Sequence, residues 1–171
     1  RPMKVVMDCG NAAGSLNAPQ IFKDLGIELT ELFCEPDGTF PNHHPDPTVE
    51  ENLADLIQTI QSGDYDIGVA FDGDADRVGV VDETGDVVWA DQLMALFLPE
   101  LIEKGDEILF DVKCSQALED MIVKHGGTPV MWKTGHSLIK QKMHELGCKL
   151  GGEMSGHIFF ADDYFGYDDG I

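Results

Sequence analysis

Short apolar runs alternate with stretches of helical periodicity along the whole chain, and this alternation limits the possible folds most. Residues 3–8 and 65–71 are apolar runs that predict strands, whereas residues 49–61 place leucine and isoleucine at helical spacing. Such alternation is typical of parallel-rich sheets that helices cover. The predicted strands are 3–8, 27–33, 65–71, 78–81, 87–89, 107–111 and 128–132, with short strands flanking 151–157, and the predicted helices are 17–25, 49–61, 91–103, 115–125 and 136–146.

The chain length and one turn indicate how the domains divide. A length of 171 residues fits one large domain or two small ones, each with its own core. A hairpin-type turn at residues 83–86 is followed by a second round of alternating strands and helices. We therefore predict an α/β fold of two consecutive three-layer domains, at residues 1–88 and 89–171, with mixed, mostly parallel sheets flanked by helices. No helix follows the last predicted strand, so we expect the second domain to continue beyond Ile171.

The charge balance and the cysteines exclude several classes of protein. Lysine and arginine total 11 against 32 aspartate and glutamate residues, which gives a net charge of −21 and repels nucleic acid backbones. The hydrophobic fraction of 43% is too high for a disordered acidic chain. No apolar run reaches the roughly 18 residues of a membrane helix. The charge and the short apolar runs therefore predict neither nucleic acid nor membrane partners. Because the four cysteines are far apart in sequence, we expect reduced thiols in a cytoplasmic protein.

The most informative local segment is F-D-G-D-A-D-R, whose residues 72–77 we call the Asp loop. Asp72, Asp74 and Asp76 follow one apolar run and precede another, and carboxylates packed this closely repel one another unless a cation neutralises them. A tight loop can bring all three onto one small hard cation such as Mg²⁺ or Mn²⁺. Arg77 is one of only two arginines, and beside a metal its guanidinium is suited to holding a phosphate or orienting a carboxylate.

Three kinds of metal loop are compatible with part of this pattern. An EF-hand has Gly at the sixth position of its loop and Glu at the twelfth. Counted from Asp72, Glu83 fits the twelfth position, but Arg77 occupies the sixth and predicted strands flank the loop, so this interpretation fails. A haloacid-dehalogenase-like phosphatase would use Asp72 as its nucleophile, although it usually has Thr or Val where Asp76 stands. A phosphoryl-transfer magnesium loop would take its nucleophile from elsewhere. The last two interpretations remain open.

Further polar side chains lie in turns that follow predicted strands. Glycines around residues 151–157 allow close backbone approach to a ligand, and a carboxylate there can accept two hydroxyl groups of a sugar. The turn at residues 133–137 opens a helix, whose free N–H groups favour anions. An ordinary surface turn or a surface lysine explains each feature equally simply, and the proline-rich segment 42–47 is expected to be a rigid loop. The polar side chains concerned are Lys113, Lys133, His136, Glu153, Ser155 and His157.

The expected location of these turns limits the class of ligand that they can bind. Turns that follow parallel strands collect along one sheet edge, so we expect them to form one basic edge around one metal. Local positive charge within a strongly acidic chain favours a small anion, most simply a phosphate ester.

The motifs resemble those of the α-D-phosphohexomutase family, most closely its bacterial phosphomannomutase/phosphoglucomutase branch. The resemblance rests on F-D-G-D-A-D-R, D-V-K-C, W-K-T-G-H-S-L-I-K, G-E-M-S-G-H, P-N-H-H-P-D-P and F-G-Y-D-D-G-I, and it extends along almost the whole chain. It implies a four-domain protein, of which this chain matches the second domain and the front of the third. The phosphorylated serine and the phosphate clamp belong to the other two domains, and no T-A-S-H-N-P-like run is present here.

The resemblance also implies a reaction and a role for each candidate residue. A phosphoserine would convert hexose 1-phosphates into 6-phosphates, with mannose or glucose as the sugar, through a 1,6-bisphosphate. This fragment would supply loops for Mg²⁺ and sugar but no nucleophile, and it should be inactive alone. Two alternatives are a stand-alone haloacid-dehalogenase-like phosphatase and a non-catalytic module that binds sugar phosphate or metal. The implied Mg²⁺ ligands are Asp72, Asp74 and Asp76, the supporting catalytic residues are Arg77 and Lys113, and the substrate-binding residues are Lys113, His136, Glu153, Ser155 and His157.

Two positions depart from the family pattern. Ala75 stands where glycine is common, and Ala12 ends a G-N-A run where the family has G-N-G. A positive φ at either alanine would cost energy that glycine avoids.

Overall fold

A computed structural model describes residues 1–171, which form two compact units. The first unit comprises residues 1–88 together with 170–171, and the second comprises residues 89–169. The strands are β1 (Lys4–Asp8), β2 (Glu28–Leu32), β3 (Ile67–Phe71), β4 (Val78–Asp82), β5 (Val87–Val88), β6 (Glu107–Asp111), β7 (Thr128–Trp132), β8 (Leu150–Gly152) and β9 (Ile158–Phe160). The helices are α1 (Ala18–Asp24), α2 (Ala54–Ser62), α3 (Ala90–Leu101), α4 (Gln116–Lys124) and α5 (His136–Leu146), with 3-10 helices at Ala13–Leu16 and Glu50–Leu53.

The first unit is a five-stranded sheet in the order β2-β1-β3-β4-β5. Strand β1 runs parallel to both β2 and β3, whereas β4 and β5 continue the sheet in antiparallel fashion. Helix α1 contributes Ala18 to one core, which also contains Met7 and Phe71. On a separate core, Leu56 and Ile60 of α2 pack with other buried apolar side chains of the sheet. The sheet thus packs against α1 in one core and against α2 in the other. This is the three-layer arrangement of helix, sheet and helix.

The second unit is a four-stranded sheet in the order β7-β6-β8-β9. Strand β6 is parallel to β7 and β8, and β9 pairs with β8 in antiparallel fashion. Met94 of α3 and Leu118 of α4 share a core with Phe110, while Ile139 and Met143 of α5 belong to a different core. Both cores therefore have their own helices, without a further helix after β9.

The two sheets share one topology although the sequence shows no repeat by residue identity. In each, the first strand lies between the second and the third strands, both of which run parallel to it, and the fourth strand pairs with the third in antiparallel fashion. After the second strand, the next strand is therefore added on the opposite side of the first, between β1 and β3 and between β6 and β8. Open α/β sheets bind ligands at such topological switch points. The predicted fold class, two α/β domains with mixed sheets flanked by helices, is confirmed.

Some predicted elements differ in detail. The 3-10 helix Ala13–Leu16 is absent from the prediction, because its four residues carry no apolar periodicity. The predicted helix 49–61 is divided into the 3-10 helix Glu50–Leu53 and α2. None of the helices has the length and apolar composition needed to cross a membrane.

Candidate functional site

The Asp loop brings its three carboxylates together. Oxygens of Asp72, Asp74 and Asp76 all lie within 4.8 Å of one another. Asp72 is buried, Asp76 is partly buried and Asp74 is exposed, so the cluster opens towards solvent on one side. Three hard oxygen ligands at this separation suit a small divalent cation with water in its remaining positions. The residues present therefore fit Mg²⁺.

Arg77 is held by carboxylates on two sides. Its backbone N–H donates to Asp72 Oδ1 (3.1 Å) and its Nε–H donates to Asp72 Oδ2 (2.6 Å). Its Nη1 donates to Asp46 Oδ1 at 3.1 Å. Burial by itself lowers the pKa of Arg77, but the hydrogen bond and the charge of Asp72 outweigh it and raise the pKa. The guanidinium is thus fixed and cationic beside the acidic cluster.

The same contacts bear on the phosphatase interpretation. Asp72 is 3% exposed, and both of its oxygens accept hydrogen bonds from Arg77. A carboxylate that is buried and hydrogen-bonded in this way is a poor nucleophile, because attack requires an exposed and available lone pair. The geometry therefore favours a role for Asp72 in holding the loop and a cation.

The backbone of the Asp loop has one strained position. Ala75 has φ +63° and is 7% exposed, so the energetic cost foreseen for this alanine applies. Its N–H donates to Asp72 O (3.2 Å), and its carbonyl accepts the N–H of Gly170 (2.9 Å), which belongs to the same unit. Ala12, by contrast, has φ −105°, so no such cost arises there.

Residues 42–48 support the Asp loop from the side. Asp46 accepts hydrogen bonds from Thr48 and from Arg77; burial raises the pKa of Asp46, but these contacts outweigh it and lower the pKa. His43 Nε2 lies 2.9 Å from Oδ2 of the fully buried Asp8, at the end of β1. The expectation of a rigid loop here agrees with these contacts.

In the second unit, Glu153 closes its own turn. The carboxylate is 2% exposed, and it accepts hydrogen bonds from the N–H of Gly135 and from the hydroxyl of Ser155 (3.3 Å). The N–H of Glu153 donates to the carbonyl of His157 at 2.9 Å. Glu153 therefore ties the turn at residues 151–157 to the start of α5.

The carboxylate of Asp111 joins two turns by accepting a hydrogen bond from each. Asp111 ends β6, is fully buried, and accepts hydrogen bonds from Thr134 Oγ1 (2.7 Å) and from the N–H of Met154 (3.1 Å). The thiol of Cys114 donates to the same carboxylate at 3.3 Å. Lys113 Nζ is 3.9 Å from Asp111 Oδ2, and its side chain is 53% exposed, so its charge is available to a ligand.

His136 and His157 stack on each other, with ring centroids 5.2 Å apart. Both rings contact one carboxylate, because Asp168 Oδ2 lies 3.1 Å from His136 Nδ1 and 2.9 Å from His157 Nδ1. Lys140 donates to Asp168 Oδ1 at 2.5 Å. Burial raises the pKa of Asp168, but the hydrogen bond and charge of Lys140, a backbone hydrogen bond and the contact with His136 together outweigh it and lower the pKa.

The predicted basic residues follow strands of two different sheets. Arg77 follows a strand of the first sheet, whereas the other predicted basic residues follow strands of the second sheet. Within the second unit, the contacts of Asp111 and Glu153 bring the turns at residues 133–137 and 151–157 together. Lys133 and His136 are exposed there, and Ser155 and His157 are partly buried.

Several residues of these loops were not predicted from the sequence. Two of them are acidic residues that end strands, and the others are acidic, hydroxyl or histidine residues in loops, which is a pattern too common to identify a site. They are Asp8, His43, Asp46, Asp111, Thr134 and Asp168.

The fold and loops together define a tandem α/β/α protein with a carboxylate loop suited to a divalent cation. Residues 1–85 match the family model described as phosphoglucomutase/phosphomannomutase, alpha/beta/alpha domain II, and residues 89–171 match the model of domain III. The chain belongs to the phosphoglucomutase/phosphomannomutase family. This confirms the resemblance inferred from the motifs.

Individual relatives give the same result. The chain is 54% identical over 173 aligned residues to a phosphomannomutase/phosphoglucomutase of Pseudomonas aeruginosa, covering 100% of this chain and 37% of that protein. A crystal structure of a phosphoglucomutase/phosphomannomutase family protein from Burkholderia thailandensis has a TM-score of 0.97 at 50% identity, over 99% of this chain and 38% of the other.

A more distant structure shares the fold alone. It is the Aspergillus fumigatus N-acetylphosphoglucosamine mutase in complex with GlcNAc-6P and magnesium, with a TM-score of 0.66 at 18% identity, over 94% of this chain and 36% of the other. The present chain thus spans less than two fifths of the length of each of these three proteins.

Proposed function

We propose that this chain supplies the metal-binding and sugar-phosphate-binding domains of a phosphohexomutase. The full protein would interconvert the 1- and 6-phosphates of mannose and glucose through an enzyme phosphoserine and a 1,6-bisphosphate. The observation that carries the proposal is the convergence of Asp72, Asp74 and Asp76 within 4.8 Å in a chain of this family. The activity named for the Pseudomonas relative supports it.

In this proposal the Asp loop holds Mg²⁺ through its three carboxylates. When bound, the ion supplies neutralisation of the charge on the transferring phosphoryl group. Arg77 adds a fixed positive charge beside that group, and Asp72 and Asp46 keep its guanidinium in place. The magnesium named in the Aspergillus structure supports this choice of ion.

The second unit is proposed to bind the substrate. The exposed ammonium of Lys113 and the ring of His136 would contact the phosphate ester, since both lie in turns after strands of one sheet. The carboxylate of Glu153 would accept hydrogen bonds from sugar hydroxyls, and the hydroxyl of Ser155 would donate one to the sugar. His157 lies in the same turn and would contact the substrate as well. Lys113, His136 and His157 are the candidates for proton transfer. The GlcNAc-6P named in the Aspergillus structure supports a sugar phosphate as ligand.

The proposal includes the rest of the polypeptide and its location. We assign the metal-binding domain to residues 1–88 and the sugar-binding domain to residues 89–171, and we place the phosphoserine and the phosphate clamp in domains outside this chain. The short coverage of the relatives supports this division of labour. A cytoplasmic location is proposed because all four cysteines are free.

The metal assignment is tested in the full-length enzyme with Asp74→Asn. Asp74 is exposed, so the substitution leaves the core unchanged and removes one charged ligand. Turnover should fall by on the order of 10²-fold or more, as for loss of one electrostatic stabiliser. The matched control is Asp120→Asn, at an exposed carboxylate on α4 that accepts a hydrogen bond from Gln116. Turnover equal to wild type in Asp74→Asn would remove the metal assignment.

A phosphorus NMR time course separates the mutase from its rivals. This chain alone would be incubated with Mg²⁺, mannose 1-phosphate and a trace of hexose 1,6-bisphosphate. No conversion is expected, because the nucleophilic serine lies elsewhere, and the full-length enzyme should then form the 6-phosphate. Release of inorganic phosphate by the chain would favour the phosphatase, and failure of the full-length enzyme to isomerise would favour the non-catalytic module.

A further inference from the structure

The thiols of Cys9 and Cys34 lie against each other in the first unit. Their sulfur atoms are 2.9 Å apart, although 25 positions separate them in the sequence. Cys9 follows β1 and Cys34 follows the neighbouring strand β2, and the N–H of Cys9 donates to the carbonyl of Leu32 at 3.1 Å. The parallel pairing of β1 and β2 therefore fixes the two cysteines beside each other.

The backbone after β2 directs Cys34 towards its partner. Phe33 has φ +52°, so the chain turns sharply where the strand ends. The Cys34 sulfur then lies 3.3 Å from the carbonyl of Leu32, on the same side as Cys9. A disulfide requires sulfurs about 2.05 Å apart, so closing the bond needs a movement of less than about 1 Å.

The two thiols also differ in a way that suits thiol–disulfide exchange. Cys34 is partly exposed, whereas Cys9 is fully buried. The contact with Cys9 lowers the pKa of Cys34, and the contact with Cys34 together with burial raises the pKa of Cys9. Cys34 is thus the accessible attacking thiol, and Cys9 is the resolving thiol behind it.

We propose that Cys9 and Cys34 form a reversible disulfide site that reacts with small-molecule disulfides. The Cys34 thiolate attacks one sulfur of the small disulfide, releases one small thiol and forms a mixed disulfide. Cys9 then attacks Cys34 Sγ and expels the second small thiolate, which takes the proton of Cys9 and leaves as a thiol. Two protein thiols are oxidised and one small disulfide is reduced to two thiols, so atoms and electrons balance.

The position of the site relates it to the Asp loop. The carbonyl of Cys9 accepts the N–H of Ala12 at 2.9 Å, and the next N–H, of Ala13, donates to the carbonyl of Gly73 at 3.2 Å. Cys9 therefore lies on the turn that contacts the Asp loop. The other two cysteines have no thiol partner: Cys114 contacts Asp111, and burial raises the pKa of Cys148 to about 11. They are internal controls for selective oxidation.

The test equilibrates the native chain with mixtures of oxidised and reduced glutathione and then alkylates it under denaturing conditions. Trypsin cleavage after lysine and arginine places the four cysteines on separate peptides, 5–23, 24–77, 114–124 and 143–149. The expected result is loss of two of the four free thiols, with peptides 5–23 and 24–77 joined and the other two alkylated. Dithiothreitol should restore all four.

Variants distinguish a built site from general oxidation. Cys34→Ser should abolish the cross-link, and because Cys34 is only partly buried, this variant should retain the fold, which far-UV circular dichroism checks. Cys148→Ser is the matched control and should form the same cross-link as wild type. Absence of joined peptides under oxidising buffer, or equal oxidation of all four cysteines, would overturn the proposal.

Discussion

Asp8 and Asp111 occupy equivalent positions in the two sheets and are both fully buried. Each ends the central parallel strand of its sheet, β1 or β6, beside the switch point of the topology. Asp8 accepts hydrogen bonds from the N–H of Gly10 and is joined to His43, while Asp111 accepts them from Thr134 and Met154. In each unit a buried carboxylate thus fastens the loops that follow the strand it ends, and in the second unit these loops carry candidate ligand-binding residues.

For the second unit, this arrangement predicts coupling between Asp111 and Thr134. Thr134→Val removes the donor and leaves one carboxylate oxygen with fewer partners, which should lower the free energy of unfolding by roughly 1–3 kcal/mol. Asp111→Asn should cost a similar amount, since an amide replaces one acceptor by a donor. Urea unfolding of both single variants and of the double variant measures the interaction. The costs should be clearly non-additive.

The control for this cycle is an exposed hydroxyl on the same unit. Ser137 is exposed in the first turn of α5, so Ser137→Ala should change the free energy of unfolding by less than about 0.5 kcal/mol. Strict additivity of Asp111→Asn and Thr134→Val would mean that the hydrogen bond contributes nothing to the unit.

Periodicity predicted the elements well where one face of each is apolar. The predicted bounds 107–111, 128–132 and 136–146 agree residue for residue with β6, β7 and α5. Pattern alone did not predict the 3-10 helix Ala13–Leu16, because its contacts are tertiary: Gly14 packs against Phe71, and a Cβ there would lie 3.4 Å from that ring.

The candidate site was predictable only where its chemistry is dense. Three aspartates in five residues indicate a cation site by charge repulsion alone. A single strand-final aspartate such as Asp8 or Asp111 gives no such signal, because its importance depends on burial and on donors 23 to 43 residues away. Likewise, whether loops from two separate sheets belong together is not encoded in local pattern.

Asp46 predicts a pH dependence of stability. Its folded pKa lies below the ordinary aspartate value of about 3.8, because Thr48 and Arg77 stabilise the charged form, so the stability it contributes is present above pH of about 3.8 and is lost as pH falls through the folded pKa. Asp46→Asn should therefore lower the free energy of unfolding at pH 7, by less than about 1 kcal/mol because the group is partly solvated. At pH 3 the difference from wild type should shrink.

Urea titrations at the two pH values measure this difference. The matched control is Asp162→Asn, at an exposed carboxylate, which should leave the unfolding free energy unchanged at both pH values. A difference for Asp46→Asn that stays constant from pH 7 to pH 3 would show that its charge is not responsible.

Ala75 predicts unequal effects of two substitutions. Ala75→Gly relieves the cost of φ +63°, but it also removes a buried methyl group and adds freedom to the unfolded chain, so the net change should be below about 1 kcal/mol. Ala75→Val adds a β-branched side chain in the left-handed region and should cost on the order of 2 kcal/mol or more. Thermal unfolding compares the two. Equal effects would argue against a left-handed Ala75.

Substitutions of Glu153 and Ser155 test whether binding of the hexose phosphate depends on the Glu153 carboxylate or on the shape of its turn. Its carboxylate accepts hydrogen bonds from the N–H of Gly135 and from Ser155, so it shapes the turn as well as being a proposed sugar ligand. In the full-length enzyme, Glu153→Gln keeps one oxygen for Gly135 but loses the negative charge, and KM for the hexose phosphate should rise about tenfold or more. Ser155→Ala should raise KM less, because Glu153 retains its contact with Gly135.

Initial rates over a range of substrate concentration give KM and kcat for each variant. Far-UV circular dichroism and the unfolding midpoint confirm that the second unit remains folded. If Glu153→Gln lowers the unfolding midpoint and leaves KM unchanged, Glu153 only shapes the turn and the proposed sugar contact is wrong. If KM rises while the midpoint stays constant, the carboxylate contacts the substrate directly, because a hydroxyl of the sugar then loses its charged acceptor.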